Sequence, residues 1–270
     1  MLSKQIQRSS FVDEDVEIIG RDIVYQGFFK MEKMQLRHRL FKGGWTPTFS
    51  REIFVRGQAV AAVMYDPNNH LIGLIEQFRV GALNNNELNR IALGDAALGK
   101  KATATDALDA DVLDVALTKS GLVNSSLEQS NLNNASGIAS SSQKGGVTPV
   151  ISPWLYEVVA GMTEPGEAPE DVILRELVEE AGMVPDKLLP ICQYFTSPGG
   201  TDETLVLFCA LGDLTQVEGI HGLSDEHEDI RVLVMPEQVV FDDIYGGRFN
   251  NAATLICLQW LFINRDQIIV

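Results

Sequence analysis

The chain has 270 residues, 45% of them hydrophobic and 21% charged, a composition that supports a sizeable folded core. A formal net charge of −16 argues against non-specific nucleic-acid binding, because no basic excess exists to neutralise phosphates. Cys192, Cys209 and Cys257 form no CxxC pair, and the four histidines show no zinc spacing. The N-terminus lacks the apolar run of a secretory signal, and LICLQWLFI is too short to span a bilayer. A soluble, cytoplasmic protein with no membrane partner is expected.

In chain order, VEIIGRDIVYQGFF and MQLRHRL, within residues 16–45, are β-like runs that predict a small N-terminal sheet. REIFVRGQAVAAVMYD and HLIGLIEQFRV come next, joined by DPNNH. Pro67, Asn68 and Asn69 are turn formers, so the pair reads as a hairpin. From Asn84 to Pro149 there is no Phe, Tyr or Trp, and Asn, Ser, Ala and Gly dominate. Such a segment buries too little apolar area to offset its ordering entropy and reads as a mobile insertion. Within it, leucines and valines at helical spacing predict one short helix in TDALDADVLDVALTKSG. A passive spacer and a functional loop are both open readings of this insertion.

Beyond Pro149 the pattern is dense again. WLYEVVAG reads as a strand, PEDVILRELVEEAG as a helix, and LLPICQYF, ETLVLFCALG and EDIRVLVMP as further strands. A helix from about Pro236 and a longer one across NAATLICLQWLFIN close the chain. Strands and helices mix without regular βαβ alternation, which favours α+β.

The helix from Pro169 to Ala181 carries the chemistry. A helical wheel places Ile173, Leu174, Leu177, Val178 and Ala181 on one face, and Arg175, Glu176, Glu179 and Glu180 on the other. Like charges three and four residues apart repel across a helix turn. Two readings are open on the helix alone: a solvated acidic face softened by Arg175, or a divalent-cation site whose metal relieves the repulsion.

The wider context decides between them. In GMTEPGEAPEDVILRELVEEAGM, Gly161 is followed by Glu167, then Arg175-Glu176-Leu177, then Glu179-Glu180, then Gly182-Met183. This resembles the box of the Nudix hydrolases, G-x5-E-x7-R-E-U-x-E-E-x-G-U with U apolar, at every specified position. Pro198, in SPGGTDE and fifteen residues after Met183, resembles the mark of that family's ADP-ribose pyrophosphatase subgroup. REIFVRGQAV, LIEQFRV, WLYEVVAGM, GIHGLSDEHEDIRV and NNAATLICLQWL are similar to that subgroup too. The insertion departs from it, since the family has a short connection there.

The resemblance implies an α+β fold: a Nudix α/β/α sandwich with a mixed sheet, a small N-terminal β domain and a long low-complexity insertion. The domains expected are 1–50 for the N-terminal part, serving dimerisation and the substrate site, and 51–270 for the Nudix part, interrupted by 84–149. It implies Mg²⁺, or Mn²⁺, held by Glu176, Glu180, the carbonyl of Ala160 and Glu228, with Glu179 close by and counted with Glu226 among the catalytic residues. Glu226 resembles the general base on a mobile loop, and a solvated acidic loop is the alternative for Glu226 and Glu228. Glu167 and Arg175 resemble a structural pair, and Gly161 and Gly182 serve backbone geometry. Arg51 and Arg79 resemble diphosphate ligands. Phe28 resembles the aromatic that stacks on adenine, with a core or interface role as the alternative. Glu203 is assigned to the terminal ribose. The activity implied is hydrolysis of ADP-ribose to AMP and ribose 5-phosphate, by a homodimer with exchanged N-terminal domains. A different nucleoside diphosphate sugar, or a non-catalytic ADP-ribose sensor, is the rival reading.

Overall fold

A computed structural model describes residues 11–83 and 152–268; the 84–149 insertion, with the helix expected inside it, lies outside the described residues. The chain divides into two compact units, Met1–Arg79 with Trp154–Val270, and Val80–Pro153. Of the second, the described residues include a single 3-10 turn at Val80–Ala82. The described strands and α-helices all belong to the first.

The N-terminal part of that first unit is an antiparallel meander of β1 (Val16–Gln26), β2 (Lys30–His38) and β3 (Phe49–Val55). β1 is exposed along most of its length, Ile18, Ile19, Ile23, Val24 and Tyr25 included. Glu32 of β2 is buried against Arg21 and Lys30.

The run REIFVRGQAVAAVMYD, expected as one arm of a hairpin, is two strands in two sheets. β3 continues the ladder with β2 as far as Val55, past the expected domain limit at residue 50. β4 (Gln58–Asp66) begins the main sheet. Between them Gly57 takes a positive φ of 75°, and Asp202 Oδ1 accepts from the N–H groups of both Arg56, at 2.7 Å, and Gly57, at 3.2 Å. A sharp change of direction fixed by a carboxylate ends one sheet and starts the next.

The main sheet is mixed. Its order is β10 (Ile220–His221), β11 (Ile230–Pro236), β5 (Leu71–Phe78), β4, β9 (Thr204–Leu211) and β8 (Lys187–Phe195), with β4 and β9 parallel. β5 and β4 form the expected hairpin, and the buried carboxylate of Asp66 caps its turn through the N–H groups of Asn68 and Asn69. WLYEVVAG also splits. β6 (Trp154–Glu157) pairs with β5, whereas β7 (Val159–Met162) pairs with β4. At the break, Val158 N–H donates to Thr254 Oγ1 at 3.1 Å, so the lost ladder bond is replaced.

Helices cover both faces. β4 alternates strictly: Val60, Ala62 and Met64 pack with α1 (Pro169–Ala181), while Ala61, Val63 and Tyr65 pack towards α2 (Glu237–Asp242) and α3 (Ala252–Asn264). A strand covered on both sides reads as a continuous apolar run, as VAAVM does. Cys209 and Cys257 are buried in the α3 layer, and Cys192 is exposed. Among the described residues no helix is long and apolar enough to cross a membrane.

One part of the helical wheel is corrected. Leu174 and Val178, assigned to the core, are 40% and 49% exposed, whereas Glu180 is 3% exposed. The buried residues of α1 are Val172, Ile173, Leu177, Glu180 and Ala181, so the helix is rotated towards its acidic side. The direction in which an amphipathic helix sits is decided by the sheet beneath it as well as by its own stripe.

Candidate active site

The box is a strand, a loop and a helix. β7 ends at Met162, the loop turns through Gly166, and α1 starts at Pro169, whose missing N–H costs nothing at a first helical position. Glu170 and Asp171 sit at the positive end of the helix dipole. Gly182 ends the helix in the left-handed conformation, φ 63°, and Met183 N–H closes back on Leu177 O at 3.0 Å. Gly161 leaves room for Glu176: a Cβ there would overlap the Glu176 carboxyl group and require that side chain to move.

This packing draws the acids together. Glu180 lies in the core interface and accepts from Ala160 N–H at 3.0 Å. Burial pushes its carboxyl up to about 8, reinforced by the charges of Glu176 and Glu228 and opposed by the Ala160 hydrogen bond and by Arg79. Burial likewise pushes Glu176 up to about 7, opposed by Arg175 and reinforced by Glu179 and Glu228. Arg175 bridges Glu176 at 2.9 Å and Glu179 at 2.7 Å.

The expected Glu167–Arg175 pair is looser than a direct bridge. Glu167 accepts from Glu164 N–H at 2.8 Å and adds only a longer-range attraction to Arg175. Glu228 belongs to the cluster by its effect on both box glutamates, and its Oε2 accepts from Leu223 N–H at 3.2 Å. Gly222 N–H, at the start of that loop, donates to Glu179 O at 3.2 Å, which ties the loop to α1. Glu226 stands exposed on the turn of the same loop.

Arg79, just past β5, bridges Glu157 at 2.6 Å and is close enough to act on Glu180. Of the other expected ligands, Arg51 and Glu203 have local partners, and Phe28 and Pro198 are exposed. Arg51 stacks over Phe49 and donates to Ser50 O at 3.0 Å. Phe28 is 90% exposed at the β1–β2 turn, edge-on to Phe29. Pro198 is exposed in the turn before Thr201. Glu203 is held by Arg56 at 2.7 Å and by Thr196 Oγ1 at 2.8 Å, so it works at the junction of the two sheets. Sequence reasoning passed over Arg56, Asp202 and Glu157; the only available signal was a charge in a β-like run for Arg56 and Glu157, and for Asp202 its place in the SPGGTDE turn.

Carboxylate oxygens are hard donors of the kind Mg²⁺ takes, and their mutual repulsion is what a cation would relieve. In chemistry, then, Glu176, Glu180 and Glu228 fit a divalent cation. Among the described residues no three His, Cys, Asp or Glu side chains converge as ligands. Arg175 holds Glu176 and Glu179, and backbone N–H groups hold Glu180 and Glu228.

The NUDIX domain model matches residues 142–253. With a 32% identical relative aligned along 96% of the chain, this establishes that the chain belongs to the Nudix hydrolase family. That relative is the ADP-ribose pyrophosphatase of Haemophilus influenzae, 91% of which is covered. The ADP-ribose pyrophosphatase of Escherichia coli K12 is also 32% identical, over 96% of this chain and 93% of that one. Among solved structures, an ADP compounds hydrolase superposes with a TM-score of 0.53 at 15% identity, covering 98% of each chain, which supports the fold.

Proposed function

We propose that this protein hydrolyses the diphosphate of ADP-ribose, giving AMP and ribose 5-phosphate, with Mg²⁺ or Mn²⁺ as cofactor. The observation that carries the reading is a complete box folded as strand, loop and helix, with Glu180 buried against the Ala160 N–H and Glu176 packed against Gly161. Full-length similarity to ADP-ribose pyrophosphatases supports the substrate. A bound divalent cation supplies charge neutralisation at the phosphoanhydride and acidifies a water.

The chain's own residues supply the rest. Glu176, Glu180, Glu228 and the Ala160 carbonyl would hold the cofactor, with Glu179 beside them. Glu226, on a loop tied to α1 at Gly222, takes the proton of the attacking water at a carboxylate oxygen. Arg79 leaves Glu157 for the diphosphate, where a guanidinium fork suits paired phosphate oxygens.

A second copy completes the molecule in this reading. β1 exposes Ile18, Ile19, Ile23, Val24 and Tyr25, and Phe28 follows at the turn. These apolar side chains are exposed on both sides of an edge strand, and such exposure fits an interaction surface. Its occupant in the proposal is the partner protomer, with Phe28 and Arg51 contributing to the neighbouring site. Light scattering is expected to give the dimer mass; a fully active monomer overturns this. The compartment proposed is the cytoplasm.

The test of substrate is direct. Pure protein is incubated with Mg²⁺ and a panel of nucleoside diphosphate sugars, and products are separated by chromatography. AMP from ADP-ribose is expected; intact ADP-ribose beside another cleaved sugar nucleotide transfers the assignment to that substrate.

A further inference from the structure

Gln77 is 6% exposed, and its Nε2 is buried without a hydrogen-bond acceptor. Leaving a buried amide unpaired is costly, so such a group calls for an explanation. Its position supplies one. Along β5, Ile72 and Leu74 pack into the α3 layer, and Ile75 packs into the α1 layer. Two residues on, Gln77 stands on the α1 side, the side of the acidic cluster.

Its neighbours bound the space. In the ladder, Gln77 faces Leu155 and Ile75 faces Glu157. Arg79 follows Gln77 by two residues and bridges Glu157, which pairs with Ile75, so the bridge spans the Gln77–Leu155 position of the ladder. On the other edge, Arg231 pairs with Glu76, which brings Ile230 alongside Gln77, two residues after Glu228. The orphan amide therefore lies under the Arg79–Glu157 bridge, at the point where the Glu226–Glu228 loop re-enters the sheet.

We infer that Gln77 is a substrate-binding residue, whose amide N–H donates to a non-bridging oxygen of the diphosphate. The acids around the cluster accept and cannot be its targets in place, since none lies within hydrogen-bonding reach of Nε2. Movement of Arg79 from Glu157 to the phosphate uncovers the amide in the same step. An anionic oxygen then satisfies both donors. The inference rests on the diphosphate-hydrolase reading above and extends it by naming a donor outside the box.

The test uses two near-isosteric variants, Gln77→Met and Gln77→Glu, on the full-length protein. Melting temperature is measured in metal-free buffer, and kcat and KM are measured on the substrate that the wild-type protein cleaves. Because Gln77→Met removes an unpaired polar group, its melting temperature is expected to equal or exceed that of the wild type. Its kcat/KM falls by about 10- to 100-fold, as for a lost hydrogen bond to a charged group. Gln77→Glu falls further, because an acceptor then faces the phosphate. A Gln77→Met kcat/KM within twofold of wild type overturns the inference, as does a loss that merely tracks a lowered melting temperature. Should Gln77→Met not fold, Gln77→Glu decides alone: unchanged kcat/KM overturns the inference, and a loss at unchanged melting temperature upholds it. A wild-type protein that cleaves no nucleoside diphosphate overturns both readings, whereas an active wild type with indifferent variants overturns only this one.

Discussion

Two glutamates of this molecule are equally buried, each 3% exposed, and they behave in opposite ways. Glu32, in the N-terminal sheet, lies between Lys30 and Arg21, which hold its carboxyl below the ordinary value. Glu180, on the box helix, meets one backbone N–H and two like charges, and burial pushes it up to about 8. Their exposure is the same, but their settings differ: Glu32 is covered by the long side chains of Arg21 and Lys30 in a three-stranded sheet, whereas Glu180 lies between the box helix and the main sheet. A buried acid with partners in its own chain has a structural account. One beside other acids is neutralised by holding a proton, or by a cation where one binds.

The strongest way to break this comparison is Glu180→Gln. If the acid is kept for a cation, kcat/KM falls on the order of 10³-fold while melting temperature in metal-free buffer holds or rises. Near-normal turnover ends the assignment. Next comes Glu226→Gln, where loss of a proton acceptor lowers kcat by roughly 10²-fold and leaves Mg²⁺ binding, read by calorimetry, unchanged. Weakened Mg²⁺ uptake in that variant moves Glu226 from base to ligand.

Smaller effects sharpen the contrast. Between the ordinary value of 4.5 and their raised values of about 7 and 8, Glu176 and Glu180 hold protons in the folded state that the unfolded chain has released. Stability therefore falls as pH rises through that window. Glu32 has the reverse sign: its contribution is present above its ordinary value and is lost only as pH falls below it. Metal-free wild-type protein is expected to melt lower at about pH 8.5 than at about pH 5.5, and Glu180→Gln to show a shallower fall. Equal slopes in the two proteins count against the raised carboxyl. Last, Glu32→Gln lowers melting temperature by a few degrees and leaves kcat/KM of the folded protein within about twofold. A large kinetic loss there would make the N-terminal pair functional.

Much was legible in the residues themselves. The box spacing located the helix and its acids, because a loop–helix–loop that gathers carboxylates needs glycines and glutamates at fixed intervals. DPNNH marked the β4–β5 turn, and the apolar runs marked the strands, since local preference and burial act together there. Other features depended on partners distant in the chain. Asp202 divides REIFVRGQAV between two sheets, and Thr254 splits WLYEVVAG; neither hydrogen bond has a local signature. The sheet beneath α1 turned Glu180 inwards and left Leu174 and Val178 outside, which a wheel drawn on one helix cannot show. So composition and spacing determined which groups the molecule carries. Tertiary packing decided which of them are buried without a counter-charge, because desolvation and charge separation arise only when distant segments close around a side chain.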